Sequence, residues 1–349
     1  TSSQRETIIK QMGYDTRTTM EVLVDLRESG IEAFPNPIPK KFAQLNGLTT
    51  KKGRIYPLGT ISNSTTILTN ESGFYPIIET DERGFNNPKG LYNKKNIDII
   101  LIGDSFVEGL SVFSNETISA VLRQLDFNVL SIGKEGNGSL LEFAILKEYV
   151  KPLKPKIVLW FYCENDLFDL SFELQSSLLK KYLNEDYYSQ NLISRQKEID
   201  DVLINYLQIE WKKEKKEIAK EKIIKIIKLT KLRNMINLQA KARVPASSQS
   251  VFTDILHKSK QMVSEWDGKM YFVYLPLHET YSTGNVHVHR DFVMQTATEL
   301  GISIIDMHSK MFLLHPDPLS LFPFRLNSHY NARGYRLVAE TIGKRLESD

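Results

Sequence analysis

The chain has 349 residues, 41% of them hydrophobic, with 45 Lys and Arg against 42 Asp and Glu and a single cysteine. That composition supports a packed core rather than disorder, and a net charge of +3 is too small to make nucleic acid the default partner. The lone Cys163 excludes an internal disulfide framework and a cysteine-based zinc cluster, and no apolar run approaches the ~18 residues of a spanning helix.

The chain begins at Thr1 rather than Met. An extracytoplasmic location, periplasmic or membrane-anchored through a missing N-terminal segment, is therefore the expectation, with the cytoplasm as its alternative. Residues 1–96 contain one clear helix, about Thr18–Ser29, stopped by Gly30 and followed by Pro35 and Pro37. Alternating runs at Gly59–Thr69 and Phe74–Glu79 then suggest a small β appendage, giving this segment an α+β character.

From residue 97 strand and helix signals alternate. Ile97–Ile102, Asn128–Ile132, Ile157–Tyr162, Met270–Leu275 and Ile302–Asp306 are short, nearly continuous apolar runs, as expected for strands buried on both faces. Helical patterns at Glu116–Leu125, Leu140–Tyr149, Asp291–Leu300 and after His329 lie between or beyond them. The spacing predicts an α/β fold, a parallel sheet of about five strands between helical layers, with its chemistry in the loops beyond the carboxyl ends of the strands. Residues 171–267 interrupt the alternation as a large, charged helical insertion, so the α/β domain is expected over 97–349.

Within the insertion, residues 211–243 hold 12 Lys and Arg against 3 Asp and Glu. Lys222, Lys225, Lys228 and Lys231 alternate with isoleucines and leucines. Such a helix either packs its apolar face on the core and solvates its lysines, or presents a surface to anionic lipid or an acidic polymer.

Four loops could carry chemistry. Gly103-Asp104-Ser105-Phe106 follows the first strand and leads into a helix, which suits either a helix cap or a nucleophilic serine. Gly133–Gly138 follows the second strand, and its flexible backbone can aim N–H groups at a developing oxyanion. Cys163-Glu164-Asn165-Asp166 follows the third, where the Asn165 amide serves as a second oxyanion donor or as an Asx turn. Asn327-Ser328-His329 precedes the last helix, and His329 there suits a general base. Each feature has an ordinary structural explanation alone, but the four fall at the right loops in the right order. His287 and His289, with His278 not far away, lack the carboxylates that would complete a metal site, and no cofactor is expected.

The ordered set Gly-Asp-Ser-Phe, Gly136, Glu-Asn-Asp and His329 resembles the SGNH (GDSL) superfamily of serine esterases and acyltransferases over about residues 97–170 and 268–349. The resemblance implies a three-layer flavodoxin-like sandwich. It makes Ser105 the nucleophile and His329 the base, and forms the oxyanion hole from the Ser105 and Gly136 N–H groups and the Asn165 side chain. Asp81-Glu82-Arg83-Gly84-Phe85 is similar to a lead-in of bacterial members associated with envelope polysaccharides. An acylated carbohydrate or other small ester is the substrate so implied.

Two positions depart from the family pattern. The aspartate usual two or three residues before the histidine is replaced here by Asn327 and Leu326, and the glycine of the Gly-x-Asn-Asp block by Cys163. An asparagine can orient an imidazole but cannot stabilise its cation, a change that costs ~10⁴ in turnover in a serine triad. Asn327, a more distant carboxylate such as Asp317 or Asp306, or a backbone carbonyl is left to orient His329. A site without such a carboxylate would be slow or dead, and a degenerate protein that only binds a glycan or an anionic membrane surface is the alternative function.

Overall fold

The computed structural model describes residues 13–93, 97–225 and 246–349. In chain order, the N-terminal segment contributes α1 (Thr19–Glu28), β1 (Ala33–Pro35), β2 (Leu48–Thr50), β3 (Gly53–Ile55), β4 (Thr65–Ile67) and β5 (Ile77–Glu79). A capping box starts α1: the Thr18 hydroxyl accepts the Glu21 N–H while the Glu21 carboxylate accepts the Thr18 N–H. Strand β4 pairs parallel to β1 and antiparallel to β5, and β2 and β3 form a separate hairpin.

The remaining strands are β6 (Ile99–Ile102), β7 (Val129–Ser131), β8 (Ile157–Cys163), β9 (Lys269–Leu275) and β10 (Ser303–Asp306). All five pair in parallel, in the order β10-β9-β8-β6-β7. This is the flavodoxin-like order, which reverses direction between β6 and β8 and so opens a crevice at the carboxyl end of β6. The expected three-layer α/β architecture is the one observed.

The helices are α2 (Ser105–Glu108), α3 (Ile118–Gln124), α4 (Ser139–Ile145), α5 (Asp166–Glu173), α6 (Ser177–Asn184), α7 (Gln196–Lys225), α8 (Ala246–Ser264), α9 (His278–Thr283), α10 (Arg290–Glu299) and α11 (Ala332–Glu347). Alternate strand residues feed opposite layers, as the period of two requires. Ile99, Leu101, Leu159, Phe161, Tyr271 and Val273 pack towards α3 and α11. Ile100, Ile102, Val158, Trp160, Phe272 and Tyr274 pack towards α4, α8 and α10.

Residues from the N-terminal segment and from 171–267 pack into the same core as the sheet. Phe34, Phe42, Tyr56, Leu58 and Phe85 of the N-terminal segment join the same buried cluster as the sheet, so the appendage shares the main core. Likewise the segment read as an insertion at 171–267 includes α8, whose Phe252, Ile255 and Leu256 are fully buried against the sheet. A parallel β8–β9 connection needs a covering crossover, and α8 supplies it. The lysine-rich face at 222–231 lies outside the residues whose side chains are described. Among the described residues no helix is long and apolar enough to cross a membrane.

Polar contacts lock the N-terminal segment down. The buried Asp81 carboxylate accepts the Arg83 and Phe85 N–H groups, the Asn87 amide and the Tyr92 hydroxyl, folding 81–92 into a loop. Asn87 then exchanges two hydrogen bonds with the Ser131 backbone on β7. Lys134 and Glu108 form a fully buried ion pair, which Asn36 joins from beside β1.

Phe252→Ala tests whether α8 belongs to the core. The ring packs edge-on to Tyr162 at 5.6 Å and against Phe272 and Phe292, so truncation should cost about 3–5 kcal/mol in urea unfolding. A loss below about 1 kcal/mol would mark α8 as peripheral.

Candidate active site

Ser105 stands at the crevice because β6 ends at Ile102 and α2 begins three residues later. This turn is a helix cap: Asp104 is the N-cap, its carboxylate accepting the Phe106 N–H at 3.0 Å, and Ser105 is the first helical residue. As such its own N–H has no intrahelical acceptor. Close approach, rather than flexibility, explains two of the glycines. A Cβ on Gly103 would lie 2.5 Å from Val107, and one on Gly133 2.4 Å from the same side chain. Both strand ends must be bare for α2 to nest between them.

Ser105 Oγ lies 2.6 Å from His329 Nε2. The histidine precedes α11, whose N-cap Asn331 bonds the Gly334 N–H, and its ring packs on Phe106 at 4.5 Å between centroids. On the far side of the ring, Nδ1 lies 2.7 Å from Glu71 Oε2, which also accepts the His329 N–H at 2.9 Å and the Ser111 hydroxyl at 2.6 Å. A carboxylate only accepts, so Nδ1 carries the proton and Nε2 is left as the acceptor facing Ser105.

The group that orients His329 is thus Glu71, between β4 and β5, and the three sequence-based candidates are corrected. Asn327 is exposed, and Nδ1 faces Glu71 instead. Asp317 forms a bidentate pair with Arg325, and Asp306 pairs with Arg290. Sequence reasoning missed Glu71 because 258 residues separate it from His329. Ser111, which holds its carboxylate, sits at the unusual φ of +73° and is clasped by Ser72, whose hydroxyl donates to its carbonyl. A strained non-glycine residue at such a place is a pointer to function.

Electrostatics bind the pair. Burial alone would raise the Glu71 pKa, but the charge and hydrogen bonds of His329, helped by Ser111, bring it down to about 2. Burial likewise opposes the imidazolium, yet Glu71, with Asp104 and Glu135 behind it, leaves the His329 pKa raised.

Gly136 and Asn165 occupy the loops after β7 and β8, the neighbours of β6. The Gly136 loop is tied to the Ser105 loop through the Gly103 carbonyl, which accepts the Lys134 N–H at 3.1 Å and the Asn137 amide at 3.4 Å. Gly136 has φ +75°, and a Cβ there would lie 2.8 Å from Ile38. Asn165 precedes α5, and its side-chain NH₂ donates to Asp169 at 3.0 Å. His287 and His289 are ring neighbours 5.5 Å apart, and His278 faces the Arg325 carbonyl, all away from Ser105's hydrogen-bonding partners.

No family model and no curated protein matches the chain. Solved structures with a similar overall arrangement include a lipase/acylhydrolase from Enterococcus faecalis (13% identity, 72% of this chain and 95% of that one, TM-score 0.41). Others are a member of the lipolytic G-D-S-L family from Veillonella parvula (14%, 71% and 96%, 0.41) and an acetyl xylan esterase (11%, 72% and 100%, 0.40). At that distance the side chains of this chain, not those of its neighbours, carry the chemistry.

The Glu71–His329 pair makes a prediction independent of turnover. Glu71→Gln removes the anion that favours the imidazolium, so the His329 pKa, above the ordinary 6.5 in the parent, should fall. Histidine-selective NMR titration reads it, and an unchanged midpoint would refute the coupling.

Proposed function

We propose that the protein is a serine esterase with a Ser105–His329–Glu71 triad that works through an acyl-enzyme. One observation carries this reading: Glu71, His329 and Ser105 are joined by contacts of 2.7 and 2.6 Å in the tautomer that leaves Nε2 free to take a proton. In the first half-reaction Nε2 accepts the Ser105 proton as Oγ bonds to the ester carbonyl carbon. The carbonyl electron pair moves onto oxygen, where the Ser105 and Gly136 N–H groups and the Asn165 NH₂ are the candidate donors. Collapse expels the alkoxide, which takes the proton from Nε2. Water, deprotonated by His329, then attacks the acyl-enzyme and releases the acid with Ser105 restored. A sugar hydroxyl in place of water would make the same site an acyltransferase.

The substrate class we favour is an O-acetylated glycan or another envelope polymer, which would place the protein outside the cytoplasm. The resemblance of the Asp81–Phe85 lead-in supports this choice, together with the polar groups beside the site, among them Glu135 and Lys40. The binding-only alternative loses its main motive, because the carboxylate that the sequence near His329 lacks is supplied by Glu71.

Ser105→Ala should abolish fluorophosphonate labelling and hydrolysis of p-nitrophenyl acetate, while a surface Ser→Ala control retains both. A wild-type protein that neither labels nor hydrolyses would sink the proposal. Glu71→Gln should lower kcat on the order of 10⁴-fold. The base must be neutral, so kcat/KM falls as pH drops through the His329 pKa. That acid limb should lie above pH 6.5 in the parent and move to lower pH in the variant.

A further inference from the structure

Asn165 can serve as an oxyanion donor only if its amide presents nitrogen, not oxygen, to the substrate. An asparagine NH₂ has two hydrogens. One is taken by Asp169 Oδ2 at 3.0 Å, which leaves the other free to point elsewhere. The orientation is therefore chosen by Asp169 while it is a carboxylate, since an ionised carboxylate has nothing to donate to an amide oxygen. A protonated Asp169 could donate, and the amide would be free to turn over.

Burial leaves the Asp169 pKa raised, and what favours its carboxylate form against this comes from the N-terminal segment. Its side chain is only 3% exposed, a setting that favours the neutral acid. Against this, Lys40 Nζ lies 2.6 Å from Asp169 Oδ1. Lys40 belongs to the short helix Pro39–Phe42, and its chain also lies against the other proposed donor. A Cβ on Gly136 would come within 3.6 Å of Lys40 Cβ and Cε and 2.8 Å of Ile38. One strap, residues 38–40, thus touches the Gly136 loop after β7 and helix α5 after β8.

We infer that Lys40 is a positioning residue for the oxyanion hole, fixing the Asn165 amide through Asp169 while its stem backs the Gly136 turn. The inference rests on the esterase reading but assigns a role to a residue that reading does not need. It also predicts where the effect appears: in the transition state, with little change in ground-state binding.

The test is a double-mutant cycle of Lys40→Met and Asn165→Ala, read by kcat and KM on p-nitrophenyl acetate and by the fluorophosphonate rate constant. Removing an oxyanion donor costs about 10²–10³ in kcat. Lys40→Met should therefore lose about 10- to 100-fold in kcat with KM nearly unchanged, and Lys40→Arg should recover most of it. In the Asn165→Ala background Lys40→Met should cost almost nothing further, because the group it acts through is gone. Additive losses, or a loss confined to KM, would overturn the inference while leaving Ser105 as nucleophile intact. If Lys40→Met does not fold, Asp169→Asn replaces it in the cycle with the same expected outcomes. A wild-type protein inert to both reagents would instead refute the esterase reading. The Lys40 role is then read from the Asn165 side-chain NH₂ resonances, which Lys40→Met should shift; unchanged resonances would overturn it.

Discussion

A single carboxylate oxygen, Glu71 Oε2, is where the appendage and the α/β core become one machine. It receives three donors: the His329 ring, the His329 backbone and the Ser111 hydroxyl. The backbone contact fixes where the histidine stands, the ring contact fixes its tautomer and tilt, and the Ser111 contact fixes the carboxylate itself. A pair so constrained needs no search in rotamer space on each turnover, which is what preorganisation means physically. It also means that the N-terminal segment cannot be treated as an accessory module. Without β4 and β5 to present Glu71, the imidazole would keep its serine but lose its counter-charge.

The rest of the appendage is organised to hold that contact in register. Phe34, Phe42 and Tyr56 enter the main core, so apolar burial supplies most of the adhesion. Apolar packing alone is tolerant of small slips, whereas a triad is not. The polar ties are the directional part: Asn87 with the Ser131 backbone, Asn36 with Glu108 and Glu135, and the Lys134–Glu108 pair at the base of α2. A buried ion pair is weak evidence for net stability, because desolvation offsets much of its attraction. Its use here is geometric, since it ties helix α2, which carries Ser105, to the loop that carries Gly136 at the carboxyl edge of the sheet.

The strands are legible because a sheet buried on both faces writes itself as nearly continuous apolar runs, as at Asn128–Ile132 and Ile157–Tyr162. Ser105 and His329 stand out in the sequence because their loops fall at strand and helix ends, and the fold brings them within 2.6 Å. Glu71 does not stand out, because Thr69-Asn70-Glu71-Ser72-Gly73 has the composition of any solvated turn and its partner is distant in the chain. Asn327, two residues before His329 and the nearer candidate in sequence, is exposed. Helix α8 was hidden for a different reason. Its buried stripe at Phe252, Ile255, Leu256 and Ser259 keeps helical spacing but is diluted by Ser, Gln and Lys on the other faces, so it read as part of a charged insertion.

A site of the proposed kind must also reconcile two opposite electrostatic demands. A general base that becomes an imidazolium is helped by nearby anions, and Glu71, Asp104 and Glu135 all raise the His329 pKa. The same anions oppose negative charge on the carbonyl oxygen that forms a few ångströms away. Neutral N–H donors can offset this only if they are aimed, because a dipole's contribution falls off steeply with angle. Aiming them requires further charges, and one of those, Asp169, is again an anion. Asp169, which accepts the Asn165 amide, is in turn paired with Lys40. The N-terminal segment thus contributes both Glu71, beside the His329 ring, and Lys40, beside Asp169.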